Sequence, residues 1–189
     1  MTRTIVTIII GTLLLFIWNA ISWMALPFHS QSLNTIPDGA LQNETLQQSM
    51  PESGVYHYPG LPEDNSPETI AKIENQLSKG PRITLMVYKN EPTKLFDPST
   101  FVYSLFINLL TTVIAFLLVS RIQTKSFMSI LGASILIGLV SVLVSDVAQM
   151  NWFMFTLDYT IANAIDKLVA FALLGLLFGM YTFKSKAGQ

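Results

Sequence analysis

Three ionisable side chains, Asp146, Asp166 and Lys167, lie inside otherwise apolar stretches of this sequence. Charge is costly away from water, so such groups pair with one another, line a hydrated path, or handle a proton or ion. Asp146 falls near the end of one apolar stretch, and Asp166 and Lys167 fall in the first turns of the next. If the two stretches are antiparallel helices folded back about residue 156, positions equidistant from 156 share a depth, which matches Asp146 with Asp166 and Lys167. Side chains lean towards the N-terminus of their helix, so Asp146 and Lys167 tip together, and Asp166 sits about 100° away around its helix. Asn19, Asn108 and Asn163 fall in the same outer third of their stretches and complete an expected polar layer. Its functional reading is a proton, ion or ligand site. Its structural reading is polar glue between helices, with Lys167 reaching towards the headgroups.

His29 and His57 are the only histidines. With nearby acids two imidazoles could hold a metal, but neither stands in an HExxH motif or a paired-ligand spacing. Neither lies inside an apolar stretch, which argues against a haem held by two histidines between helices. Ordinary hydrogen-bonded surface or interface histidines are expected, with no metal and no cofactor. The chain has no cysteine, which excludes disulfides, thiolate metal sites, covalent haem attachment and thiol catalysis. No GxSxG, Walker or GxGxxG motif is present. Glu63, Asp64 and Glu68 form an acidic run that reads as a solvated edge, and Asn43-Glu44-Thr45 matches a glycosylation sequon.

The elements that must position these residues follow from composition. The chain has 189 residues, of which 51% are hydrophobic and only 12% charged, against roughly 25% charged in soluble domains. Four stretches, at about 4–26, 101–120, 127–147 and 160–183, match the ~20 helical residues that cross a hydrocarbon core. None alternates like a strand, and helices satisfy their own backbone in lipid. The first is longer than the ~7–15 apolar residues of a signal peptide. Ala20-Ile21-Ser22, its best cleavage candidate, is followed by the bulky Trp23, so it is expected to stay as an anchor.

Charge sorts by location. If all four stretches cross, the N-tail, the 121–126 loop and the C-tail share one side. They carry Arg3, Arg121, Lys125, Lys184 and Lys186 and no acid, and all 12 acids lie elsewhere. Short cytoplasmic loops are enriched in Lys and Arg, which predicts cytoplasmic termini and an external loop between the first two stretches. Trp18, Trp23, Tyr103, Trp152 and Tyr159 cluster near the outer ends, where amphipathic rings favour the headgroup region. The net charge of −1 gives no support to nucleic-acid binding.

The expected fold is therefore an all-α membrane protein of four transmembrane helices with a small α/β insert. Residues 1–26 form the first helix with its short N-tail, 27–100 the insert, and 101–189 the remaining helices with the C-tail. Within the insert, Asp38 starts a short helix running to Met50, and Val55 to Tyr58 is a strand stopped by Pro59-Gly60. Ser66-Pro67-Glu68 begins a helix that ends at Gly80 and buries a stripe of Ile70, Ile73 and Leu77. Arg82 to Tyr88 is a second strand, and Asp97-Pro98 caps the second span. So small an insert is thin in apolar content and is expected to rest on the helix ends or on a partner. Ser134, Gly138, Ser141 and Ser145 line one face of span three, and Gly175 and Gly179 form a GxxxG on span four. Small residues let helices approach closely, here in the internal packing of the last two spans.

The fragments Ser22-Trp23-Met24-Ala25-Leu26-Pro27-Phe28-His29, Pro51-Glu52-Ser53-Gly54-Val55-Tyr56 and Gly80-Pro81 give the chain its only familiar signature. On these the chain resembles a group of small bacterial four-span inner-membrane proteins of uncharacterised function. The resemblance implies a bacterial inner membrane and a periplasmic insert, and it carries no activity with it. The expected role is a non-enzymatic accessory or scaffold subunit, with the bilayer and other membrane subunits or further copies of itself as partners. The alternative is a small transporter, channel or proton-coupled module working through the polar layer.

Overall fold

The computed structural model describes residues 2–37, 39, 44–123 and 126–186. Asp38, Asn43 and Lys125, and the side chains of Lys184 and Lys186, lie outside the described residues. The structure is mostly helical, at 71%, with one small sheet. Four helices are long and apolar enough to cross a membrane: Thr2–Ala25, Pro98–Ser120, Phe127–Phe153 and Leu157–Tyr181. The chain forms two compact units, one of Met1–Asn34 with Leu95–Gln189 and one of Thr35–Lys94.

Span one is the helix α1 (Thr2–Ala20) continued by a π-helical turn, Ile21–Ala25. Leu26 is extended, and Pro27, with its ring-fixed φ, opens the short helix α2 (Pro27–Gln31). Span two is α5 (Pro98–Ser120), capped by Asp97, whose carboxylate accepts from the Ser99 amide at 2.9 Å. Span three joins α6 (Phe127–Val142), a second π-helical turn at Leu143–Val147, and α7 (Ala148–Phe153). Span four is α8, Leu157–Lys186.

The loop expected at 148–159 is much shorter. Helix continues to Phe153 and resumes at Leu157, because no Gly or Pro stands between Val147 and Leu157 to stop it. The reversal rests on Met154, which takes a left-handed conformation at φ 58° and ψ 33°.

Span one packs between spans two and four, and span four also runs along span three. The apolar core, Leu15, Ala115, Val119, Ile130, Leu174 and Phe178, lies in the half of the bundle nearer Arg121. Lipid is as apolar as these side chains, so their association depends on close fit and not on escape from water. The small residues supply that fit. A Cβ built on Gly175 would lie 2.8 Å from the Ser134 Cβ, and one on Gly138 would lie 3.0 Å from the Phe171 Cβ. One on Gly179 would meet the Phe127 ring at 2.6 Å. The small-residue faces of spans three and four thus meet each other.

The second unit holds the helix α3 (Glu44–Ser49), the strand β1 (Gly54–Tyr58), the helix α4 (Pro67–Lys79) and the strand β2 (Ile83–Tyr88). The strands pair antiparallel, Val55 opposite Val87 and Tyr56 opposite Met86, with a register irregularity between Tyr56 and Tyr58. Helix α4 starts where the sequence predicts: the Ser66 hydroxyl accepts from the Thr69 amide at 3.2 Å, and Pro67 comes next. It ends at Gly80, whose φ of 58° suits a residue without a Cβ. The stripe expected to be buried on α4 is only half-buried, and Ile70 is exposed at 37%. A two-stranded sheet and one helix have too little apolar area to enclose it. Beyond the strands, the Ser53 hydroxyl donates to Glu91 Oε2 at 2.6 Å and accepts from the Asn90 amide at 2.9 Å. The Ser53 bond leads the causes that hold the Glu91 carboxyl down at about 2, below the usual carboxylate range.

Candidate functional site

The polar residues converge at the end of the bundle where spans one and two join the second unit's chain. Each of the two π-helical turns carries part of the site. A π turn inserts one extra residue into a helix and rotates the residues after it, a feature that recurs at functional positions.

The turn at Leu143–Val147 presents Ser145 and Asp146 to span four. Lys167 Nζ donates to both Asp146 carboxylate oxygens at 2.6 Å and to the Ser145 hydroxyl at 2.6 Å. The Asp146 side chain is 8% exposed and that of Lys167 32%. The pair lies at matched depth, as the hairpin geometry implies.

Asp166, one residue earlier and about 100° around the helix, faces span one. Its backbone carbonyl accepts from the Trp18 indole at 3.1 Å. Its Oδ2 lies 3.8 Å from His29 Nε2, and its buried Oδ1 has no hydrogen-bond partner among the described residues. The turn at Ile21–Ala25 places Ser22 against the same imidazole, with 3.1 Å between Ser22 Oγ and His29 Nε2. Trp23 stacks on the ring at a centroid distance of 3.9 Å.

His29 is a hydrogen-bonded histidine packed between elements and not on the surface: α2 folds it back into the bundle, leaving it 2% exposed. Burial lowers its pKa below 6.5, against the opposing pull of the Asp166 carboxylate. The sequence singles out His29 as a histidine and sets Ser22 in the same familiar fragment, but nothing in it brings the two side chains together. Their contact depends on the π turn and on the restart at Pro27, neither of which has a periodic signature.

Asn19 donates its amide to Asn108 Oδ1 at 3.1 Å, linking spans one and two. Asn163 instead donates to the Tyr159 carbonyl of its own helix at 2.8 Å. Thr112, absent from the expected layer, is fully buried on span two, and its hydroxyl has no hydrogen-bond partner among the described residues. His57 belongs to the other unit, where its Nδ1 lies 3.0 Å from the Pro59 carbonyl oxygen. Among the described residues, no group of three His, Cys, Asp or Glu side chains is arranged to hold a metal ion.

Ser22, His29 and Asp166 resemble a hydrolytic triad in composition only. A relay needs the acid on one ring nitrogen and the hydroxyl on the other. Here both face Nε2, Nδ1 has no partner among the described residues, and Ser22 is fully buried. Beside this cluster a groove of about 500 Å³ opens between spans one and two, lined by Asn19, Trp23, Met24, Phe101, Ser104 and Asp166 among others.

No family model, curated protein or solved structure matches this chain.

Proposed function

We propose that this protein is an accessory or scaffold subunit of a bacterial inner membrane, presenting its folded insert on the periplasmic side with both termini in the cytoplasm. The observation that carries the reading is the bare face of the β1–β2 sheet. Val55 and Val87, directly opposite one another, are 63% and 78% exposed, and Ile83 and Leu85 on the same face are 38% and 36% exposed. Tyr56, Thr84, Met86 and Tyr88 on the other face are half-buried. A two-stranded sheet is marginal alone in water, and a contiguous apolar patch on so small a unit is a protein-contact surface. The charge asymmetry of the short loops supports the orientation.

The role is tested by placing a photo-crosslinking amino acid at Val87 in cells and reading adduct size. A discrete adduct, lost when Val55→Glu is added, supports a subunit role. Adducts with lipid alone, or none at all, would overturn it.

A further inference from the structure

We propose that the groove beside Asp166 is a binding site for a phospholipid with a primary ammonium headgroup. The charges at this end of the bundle are unequal. Asp146 and Lys167 neutralise each other at 2.6 Å, so the lysine adjacent to Asp166 is already engaged. Among the described residues the basic group within 4 Å of the Asp166 carboxylate is His29, 3.8 Å away and buried. That separation is too long for a hydrogen bond, and burial disfavours the charged form of the imidazole, so among the described residues no Lys or Arg side chain pairs with Asp166. Its Oδ1 also has no hydrogen-bond partner among them. An uncompensated carboxylate in a bundle end is costly and calls for a cation.

The surroundings of Asp166 select an amphiphile over a free ion. The groove, about 500 Å³, is walled by Trp23, Met24 and Phe101, which are 49%, 61% and 40% exposed and so open its rim. These surfaces suit an acyl chain. Asn19 and Ser104, also in the wall, supply an amide and a hydroxyl for the phosphate beside the ammonium. An ammonium donates charge-assisted hydrogen bonds to a carboxylate. A choline head has no N–H to donate, and an anionic head without an amine is repelled. The assignment rests on the bundle alone and holds whether or not the insert has a protein partner.

The test is native mass spectrometry of the purified full-length chain, titrated in detergent with phosphatidylethanolamine, phosphatidylcholine or phosphatidylglycerol. Phosphatidylethanolamine should be retained about tenfold better than phosphatidylglycerol, the scale of one charge-assisted hydrogen bond. Asp166→Asn should bring that ratio close to one, and Ala20→Trp, which fills the groove, should cut retention of every lipid. Equal retention of the ethanolamine and glycerol lipids by the unaltered protein would overturn the proposal, and so would undiminished preference in a folded Asp166→Asn. If Asp166→Asn fails to fold by circular dichroism, the unaltered ratio and Ala20→Trp decide.

Discussion

Asp166 and Lys167 are neighbours in sequence, yet each ties span four to a different helix. Lys167 reaches span three, and Asp166 faces span one and the short helix after it. The 100° between consecutive helical residues lets adjacent positions bridge to two partners. Asp146→Asn and Lys167→Met should each destabilise the bundle, because each leaves a desolvated charge or donor alone. The double change should cost less than their sum by roughly 0.5–3 kcal/mol. A double-mutant cycle of unfolding in mixed micelles measures this coupling, and strict additivity would contradict the pair. His29 sets a pH limit of opposite origin. Its folded pKa is depressed below 6.5 by burial, so below that pH the unfolded chain binds a proton that the folded one resists. Its contribution is therefore present above pH 6.5 and falls away as pH drops through the lowered folded value. His29→Gln should flatten the loss of thermal stability between about pH 7 and about pH 5. An unchanged slope would assign it elsewhere.

At the scale of elements, the helix faces differ sharply in tolerance. Ala at Gly175 would place a methyl 2.8 Å from the Ser134 Cβ and 3.1 Å from the Leu131 Cα. Backbone cannot step aside as a side-chain tip can, so Gly175→Ala should cost about 1–3 kcal/mol through overpacking. A Cβ on Gly132, in the facing helix α6, meets nothing within 4 Å. Gly132→Ala should be neutral or stabilising by up to about 1 kcal/mol, because Ala is the better helix former. Thermal denaturation of the two variants in one detergent makes the comparison, and equal effects would refute the packing. Element identity is legible in the chain where composition is one-sided. Ser66-Pro67 and Asp97-Pro98 announce helix starts because capping is local chemistry. The end of span three is harder to read. Its termination is a left-handed Met154, a conformation that carries no sequence mark in a residue other than Gly, Asn or Asp.

For the whole molecule, the native chain contains no cysteine, so every introduced thiol reports its own side of the membrane. Ser78→Cys in α4 should react with a membrane-impermeant maleimide in intact cells. Ser120→Cys, at the opposite end of span two, should react only after permeabilisation. The reverse pattern would invert the proposed topology, and labelling of both from outside would show that span two does not cross.

The sequence alone determined that four helices are long and apolar enough to span a membrane, which small faces they use, and that Asp146 and Lys167 share a depth. These features come from length, period and residue chemistry, which act along the chain. Only the tertiary structure decided that Asp166 meets Trp18 and His29, that His29 is buried against Ser22 and Trp23, and that Asp166 borders a groove. The burial of His29 rests on the π-helical turn at Ile21–Ala25 and the helix restart at Pro27, and the presentation of Asp146 on the turn at Leu143–Val147. Each rotates the downstream segment by an amount set by packing between helices, and no local pattern in the chain records that rotation.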